Sequence, residues 1–242
     1  MKTNFTLLLA VVCGLFSCSK ERIQLPVKAE FLQEPKPCLM ETSNPAGRSY
    51  LSDSLVEFNC ADKYCGFMPL SSRNYWVYAD SIFNNGVFTE LRYDTLRFRN
   101  TVKSVNDGLV WWEAGLDLGL PAKIYTSDSA LFGLEERMFS NGIRDVKREF
   151  GLFAGDSVRY LSGFRDAAAI TRSLKWNNPV HTEAGDFTGC LYIDKNARNY
   201  RRDQVFFKPG IGVIRYVREE APMGSPRVKL QRISTLVSYS FE

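Results

Sequence analysis

Histidine is almost missing from this chain: His181 is the only one in 242 residues. That removes the imidazole clusters on which most metal cages rest, and the general base that serine and cysteine nucleophiles need. No Gly-x-Ser-x-Gly turn marks a nucleophile. Gly210 and Gly212 are not followed by the Lys and Ser or Thr of a phosphate-cradling loop. Charge of one sign is also lacking, since 31 Lys and Arg face 27 Asp and Glu for a net of +4. A balance of that kind argues against nucleic acid as a partner. Long apolar runs are absent too: the stretch that starts at Leu7 ends by Phe16, short of the roughly 20 residues a spanning helix needs. No repeat with a period of 20 to 50 residues is present, which disfavours propellers and solenoids.

What is present begins at the amino terminus. Lys2, the apolar Leu7 to Val12, and the small-residue stretch Gly14 to Ser17 follow the order of a secretory signal, so residues 1–17 read as a removed signal peptide. Leu15-Phe16-Ser17-Cys18 resembles the lipobox of bacterial lipoproteins, with Phe16 standing where a small residue is commonest. The resemblance implies that Cys18 carries diacylglycerol and becomes the new first residue, making the membrane a partner through its acyl chains. Each buried methylene contributes about 0.8 kcal/mol, so two or three chains anchor firmly. In that family an aspartate after the cysteine accompanies inner-membrane retention; Ser19 lacks it, which implies the outer membrane. Lys20-Glu21 is similar to short charged surface-export signals, and the choice between periplasmic and surface face stays open. The mature chain has 242 − 17 = 225 residues and, without Lys2, a net charge of +3.

Residues 18–50 are polar and broken by Pro26, Pro35, Pro37 and Pro45, and read as a lipidated tether. Residues 51–242 read as one β-rich globular domain. Tyr75 to Tyr78 and Val87 to Phe98 carry strand formers on either side of Asn85-Gly86, a hairpin signal. Asn106-Asp107-Gly108 separates a second pair. Further strands are expected at 122–126, 157–161, 168–176, 187–193, 205–207, 212–218 and 228–240. Helix formers gather only at Leu131 to Phe150, where Glu135, Glu136, Arg137 and Met138 start a candidate short helix. The fold class expected is mainly β: an antiparallel sheet, as a curved half-barrel or a two-sheet sandwich, with at most one or two short helices.

Cys38, Cys60, Cys65 and Cys190 remain in the exported portion. Four thiols allow three connectivities; the weak preference is Cys60 with Cys65 or with Cys38, leaving Cys190 inside the sheet. A zinc site from all four is disfavoured because only Cys60 to Cys65 forms anything like a ligand loop, so no metal and no cofactor are expected. His181 sits in a polar, turn-like setting and reads as an exposed loop residue. Asp194 to Asp203 superficially looks like a calcium loop, but Arg198 occupies a ligand position, and a charged hairpin tip is the better reading. Trp111, Trp112 and Glu113 are the candidate ligand-binding residues. Adjacent tryptophans in a strand point to opposite faces, so one fills the core while the other meets solvent or a second layer. A glycosidase needs a second carboxylate beside Glu113, and none is identifiable.

Three stretches, "MPLSSRNYWVYADS", "HTEAGDFTGCLYI" and "VFFKPGIGVIRY", resemble segments of uncharacterised bacterial envelope proteins. The resemblance implies a shared β scaffold and no particular chemistry. The function expected is a non-enzymatic binding or structural domain, with a glycan, an apolar ligand or an envelope protein as partner, and a carboxylate polysaccharide hydrolase as the alternative.

Overall fold

The computed structural model describes residues 38–136, 142–152, 155, 157–164 and 167–242. Cys18, the signal segment and most of the tether lie outside these residues. The chain divides into Met1–Pro35 and Lys36–Glu242, and the second unit holds everything described.

The fold is mainly β, and every strand-to-strand pairing is antiparallel. In chain order the strands are β1 Ser49–Leu51, β2 Leu55–Phe58, β3 Tyr75–Asn84, β4 Val87–Arg97, β5 Thr101–Ser104, β6 Val110–Glu113, β7 Lys123–Thr126, β8 Ala130–Glu136 and β9 Ile143–Gly151. They continue as β10 Ser157–Phe164, β11 Ala167–Trp176, β12 Val180–Thr182, β13 Gly185–Phe187, β14 Cys190–Ala197, β15 Arg201–Lys208, β16 Gly212–Glu220 and β17 Lys229–Ser240. One sheet has seven strands in the order β1-β9-β8-β7-β6-β5-β2, and the other has eight in the order β10-β11-β14-β15-β16-β17-β3-β4. The pair β12 and β13 forms a small ribbon.

Connectivity dictates the shape of the seven-stranded sheet. Its two edge strands, β1 and β2, are consecutive in the chain and separated only by the 3-10 turn Ser52–Ser54. Four peptide steps reach at most about 15 Å, whereas six flat inter-strand spacings span about 29 Å. The sheet therefore curls until its edges nearly meet. Asp107, in the β5–β6 turn, clamps that closure: it accepts hydrogen bonds from Arg48 and from the Tyr50 hydroxyl, each at 2.6 Å. Burial works against its ionisation, but these donors hold the Asp107 carboxyl below its ordinary range. Inside the curl lie Tyr50, Trp111, Tyr125, Ala130, Phe132, Leu134 and Val146. The outer face, with Trp112, Ile124, Leu131 and Phe150, packs on Trp76, Tyr78, Ile193, Val205, Phe207 and Tyr216 of the larger sheet. Both geometries expected from the sequence are thus realised together, a curled sheet laid on a second one.

The hairpin signals hold. Asn85 and Gly86 both have positive φ, 52° and 85°, as a two-residue turn between β3 and β4 requires. Gly212 has φ 121°, and a Cβ there would lie 3.1 Å from Met68 Cε. The backbone beside it approaches so closely that the Trp76 indole donates to Ile211 O at 2.8 Å.

Two expectations need correction. Leu131 to Glu136 is β8 rather than the start of a helix, and most of the remainder to Phe150 is β9; Arg137 and Met138 lie outside the described residues. Ala130 to Leu134 are buried at every position because both faces of β8 meet a core, so helix-forming composition yields to two-sided burial. The disulfide joins Cys38 to Cys65, with Cα atoms 5.6 Å apart, and leaves Cys60 and Cys190 as buried thiols. The pairing is set by backbone: Leu39 N donates to Lys63 O at 2.8 Å and Cys65 N to Leu39 O at 2.9 Å, which aligns residue 38 with residue 65 rather than 60. Strand β1 begins at Ser49, and its Tyr50 is 3% exposed.

Candidate functional site

Trp111 and Trp112 are divided between the two cores. Trp111 is fully buried inside the curl, edge-on to Tyr50 at 6.0 Å. Trp112 is 1% exposed in the inter-sheet layer, edge-on to Tyr64 at 6.1 Å. Neither presents a ring face to solvent. Glu113 forms an ion pair with Lys123 and accepts from Asn100 Nδ2 at 3.1 Å. Lys123 above all holds its carboxyl below the ordinary range, so it stays ionised and is poorly suited to donate a proton. His181 is exposed on the β12–β13 ribbon, where Nδ1 lies 2.7 Å from Asp186. Among the described residues no group of three or more His, Cys, Asp or Glu side chains converges as a metal cage would.

A different region gathers chemistry. The chain crosses from one sheet to the other between β9 and β10. A cleft of about 260 Å³ opens between them, bordered by Gly47, Lys147, Glu149, Tyr160 and Ser162. Behind it a void of about 10 Å³, enough for one water, touches Glu149, Tyr160, Thr171, Lys195 and Asp203. Tyr160 donates its hydroxyl to Glu149 O at 2.8 Å, tying the two strands across the corner. The Ser162 and Thr171 hydroxyls share a hydrogen bond of 2.6 Å on the inner face of β10 and β11.

Glu149 is the unusual group here. Burial, opposed by Lys195 and Lys147 and reinforced by the neighbouring Glu135, raises its carboxyl from 4.5 to about 7. The neighbouring Glu135 carboxylate adds to that rise, because like charges close together disfavour ionisation. Glu135 is further bound by Lys147 at 2.5 Å and faces Lys195 at 3.8 Å. The cleft therefore offers the Glu149 carboxyl, the Lys147 ammonium and the Tyr160 and Ser162 hydroxyls, a set that hydrogen-bonds a polar ligand. Inside the curl Trp111, Tyr125 and Phe132 pack on one another.

From the void, charge continues across the inner face of the larger sheet. Asp203, 3% exposed, binds Arg201 through two hydrogen bonds of 2.7 and 2.8 Å. Arg201 and Arg218 each reach Asp117 of the β6–β7 loop at 3.4 Å, and Arg232 donates to Asp117 O at 3.1 Å. Arg232 also pairs with the fully buried Asp80. These arginines are spent on carboxylates of the larger sheet and on Asp117, which ties the β6–β7 loop of the curled sheet to it. Asp194 to Asp203 spans the tip of the β14–β15 hairpin as expected, and Arg201 and Arg202 are ion-paired there, Arg202 with Asp194 at 2.8 Å. The cleft escaped sequence reading because Glu135, Glu149, Tyr160 and Lys195 are far apart in the chain and share no motif.

No protein-family model matches the chain, and no curated protein matches it. The structure is similar to a crystal structure of a Parabacteroides distasonis protein provisionally classed as a lipoprotein, at 11% identity and a TM-score of 0.38, covering 73% of this chain and 99% of that one. A likeness of that degree assigns neither a family nor an activity.

Proposed function

We propose that the protein is an outer-membrane lipoprotein, anchored through acyl chains on Cys18, whose β domain binds a polar ligand such as a glycan in the cleft beside Glu149 without chemical turnover. The observation that carries the reading is Leu15-Phe16-Ser17-Cys18, a cysteine set directly behind an apolar run too short to span. The Cys38–Cys65 disulfide supports it, because such bonds persist in oxidising compartments outside the cytosol. Intact mass spectrometry of membrane-extracted protein tests the anchor: the expected species begins at Cys18 and carries acyl mass, and an unmodified chain starting elsewhere overturns it. Calorimetric titration with soluble hexose and N-acetylhexosamine oligomers tests the cleft; binding that survives unchanged in Glu149→Ala and Ser162→Ala removes it.

Hydrolysis of polysaccharide is less well supported. Glu113 is held ionised by Lys123, with Asn100 as its other hydrogen-bond partner. Carboxylates that cleave a glycosidic bond stand about 5 Å or more apart, with the sugar between them. Turnover of a polysaccharide that is lost in Glu113→Gln would restore that reading.

A further inference from the structure

One wall of the cleft is shaped by an irregularity in β9. Leu131 pairs with Phe150 and Phe132 with Arg148, so Glu149 is an extra residue on β9, a bulge. A regular strand sends successive side chains to opposite faces, and a bulge re-aims them. Here Lys147, Arg148 and Glu149, consecutive in the chain, all border the same cleft. The Tyr160 hydroxyl holds the bulge from the other sheet by donating to Glu149 O at 2.8 Å. On the opposite side of β9, strand β1 pairs with Ile143 to Asp145, and the chain leading into it reaches Val146, whose O accepts from Gly47 N at 3.0 Å. Among the described residues no strand continues that pairing along 147–149, which leaves the cleft its opening.

The charges on this wall differ in availability. Lys147 is engaged by Glu135 at 2.5 Å. Arg148 is exposed, and among the described residues no hydrogen bond or ion pair engages its guanidinium. Arg48, Arg144 and Arg202 are by contrast each paired with a carboxylate. Glu149 does not supply the missing anion: Glu135 of β8, Lys147 of β9, Lys195 of β14 and, across the void, Asp203 of β15 surround it, and burial keeps its proton on into the neutral range. With Lys147 offset by Glu135, the wall presents one uncompensated positive charge. A guanidinium is a planar fork that matches a carboxylate through two parallel hydrogen bonds. We infer that the cleft prefers an acidic sugar of the hexuronate class, whose carboxylate pairs with Arg148 while its ring hydroxyls hydrogen-bond Glu149 and Ser162. The inference rests on the glycan reading above and names the class of sugar. Leu161, 80% exposed at the border, offers an apolar surface for the C–H face of the ring. At about 260 Å³ the cleft falls below the range of about 300–1,000 Å³ usual for larger ligands, which suits a single ring of a longer chain.

The test uses residues 18–242 with Cys18→Ser, which contain the whole compact unit Lys36–Glu242. Calorimetric titration at pH 6 compares trimers of galacturonate and of glucuronate with their methyl esters, in which the charge is masked and the ring hydroxyls are kept. One acid trimer is expected to bind about tenfold or more tightly than its own ester, and Arg148→Gln to bring the two within about threefold of each other. Arg148 is exposed, so an unchanged melting temperature shows that the variant folds as the parent does. Esters bound as tightly as the acids by the parent, or a preference for the acid that persists in Arg148→Gln, overturn the inference and leave glycan binding standing. Binding of no sugar, acidic or neutral, overturns the glycan reading and the inference with it.

Discussion

Trp111 and Trp112 differ by one position and occupy different cores, so they should respond differently to truncation. The Trp111 indole N–H is buried with no hydrogen-bond partner. Trp111→Phe removes that unsatisfied donor along with some ring volume, and the two effects offset to below about 1 kcal/mol. Trp112→Ala opens a cavity in the inter-sheet layer and costs about 3 kcal/mol or more; urea denaturation of both variants measures the contrast. Glu149 makes a prediction of opposite kind. Its native value of about 7 lies above the unfolded 4.5, so between those values the native state holds a proton the unfolded chain has released. Stability contributed by this group is present below pH 4.5 and declines as pH rises toward 7. Glu149→Gln abolishes the decline and stabilises the protein at pH 8 by on the order of 1 kcal/mol, with little change at pH 4, as denaturation at the two pH values would show.

Among elements, those announced by turn chemistry were legible in the sequence. Asn85-Gly86 and Asn106-Asp107-Gly108 each mark a reversal, and β3, ahead of the first, alternates in burial over most of its length. β8 was illegible because a strand covered on both faces shows no alternation, and Leu, Glu, Arg and Met are strong helix formers in isolation. The expected strand 187–193 is broken at Gly189, whose φ of 63° ends β13 and starts β14 elsewhere. The disulfide was illegible for a related reason: Cys38 meets Cys65 only because Leu39 pairs with Tyr64 in an isolated parallel bridge. That bond closes a loop across 27 residues, for which loop entropy gives about 3.5 kcal/mol. Cys38→Ser should lower stability by roughly this amount, and reductant should destabilise the parent while leaving the variant unchanged. Cys60 and Cys190, buried, should react with thiol reagents only on unfolding.

At the scale of the whole molecule, the order of the larger sheet makes the last strand structurally central. β17 lies between β16 and β3, pairing Ser240 with Tyr75 and Thr235 with Ala79. Deleting residues 229–242 would separate the β3–β4 hairpin from the sheet and expose Trp76, Tyr78 and Leu236's neighbours to water. Such a chain should be insoluble or lack near-ultraviolet circular dichroism, although it loses only 14 residues. Contacts of such long range also predict slow folding, in milliseconds to seconds, by stopped-flow fluorescence. The two-layer class could be read from strand spacing, but neither the closure of the curl nor the cleft could, because both depend on which strands become neighbours. The position of the disulfide has a mechanical corollary. A pull transmitted from upstream reaches the folded unit at residue 38 and passes across sulfur to residue 65, so β1 and β2 carry none of the load and cannot be peeled away while the bond is intact.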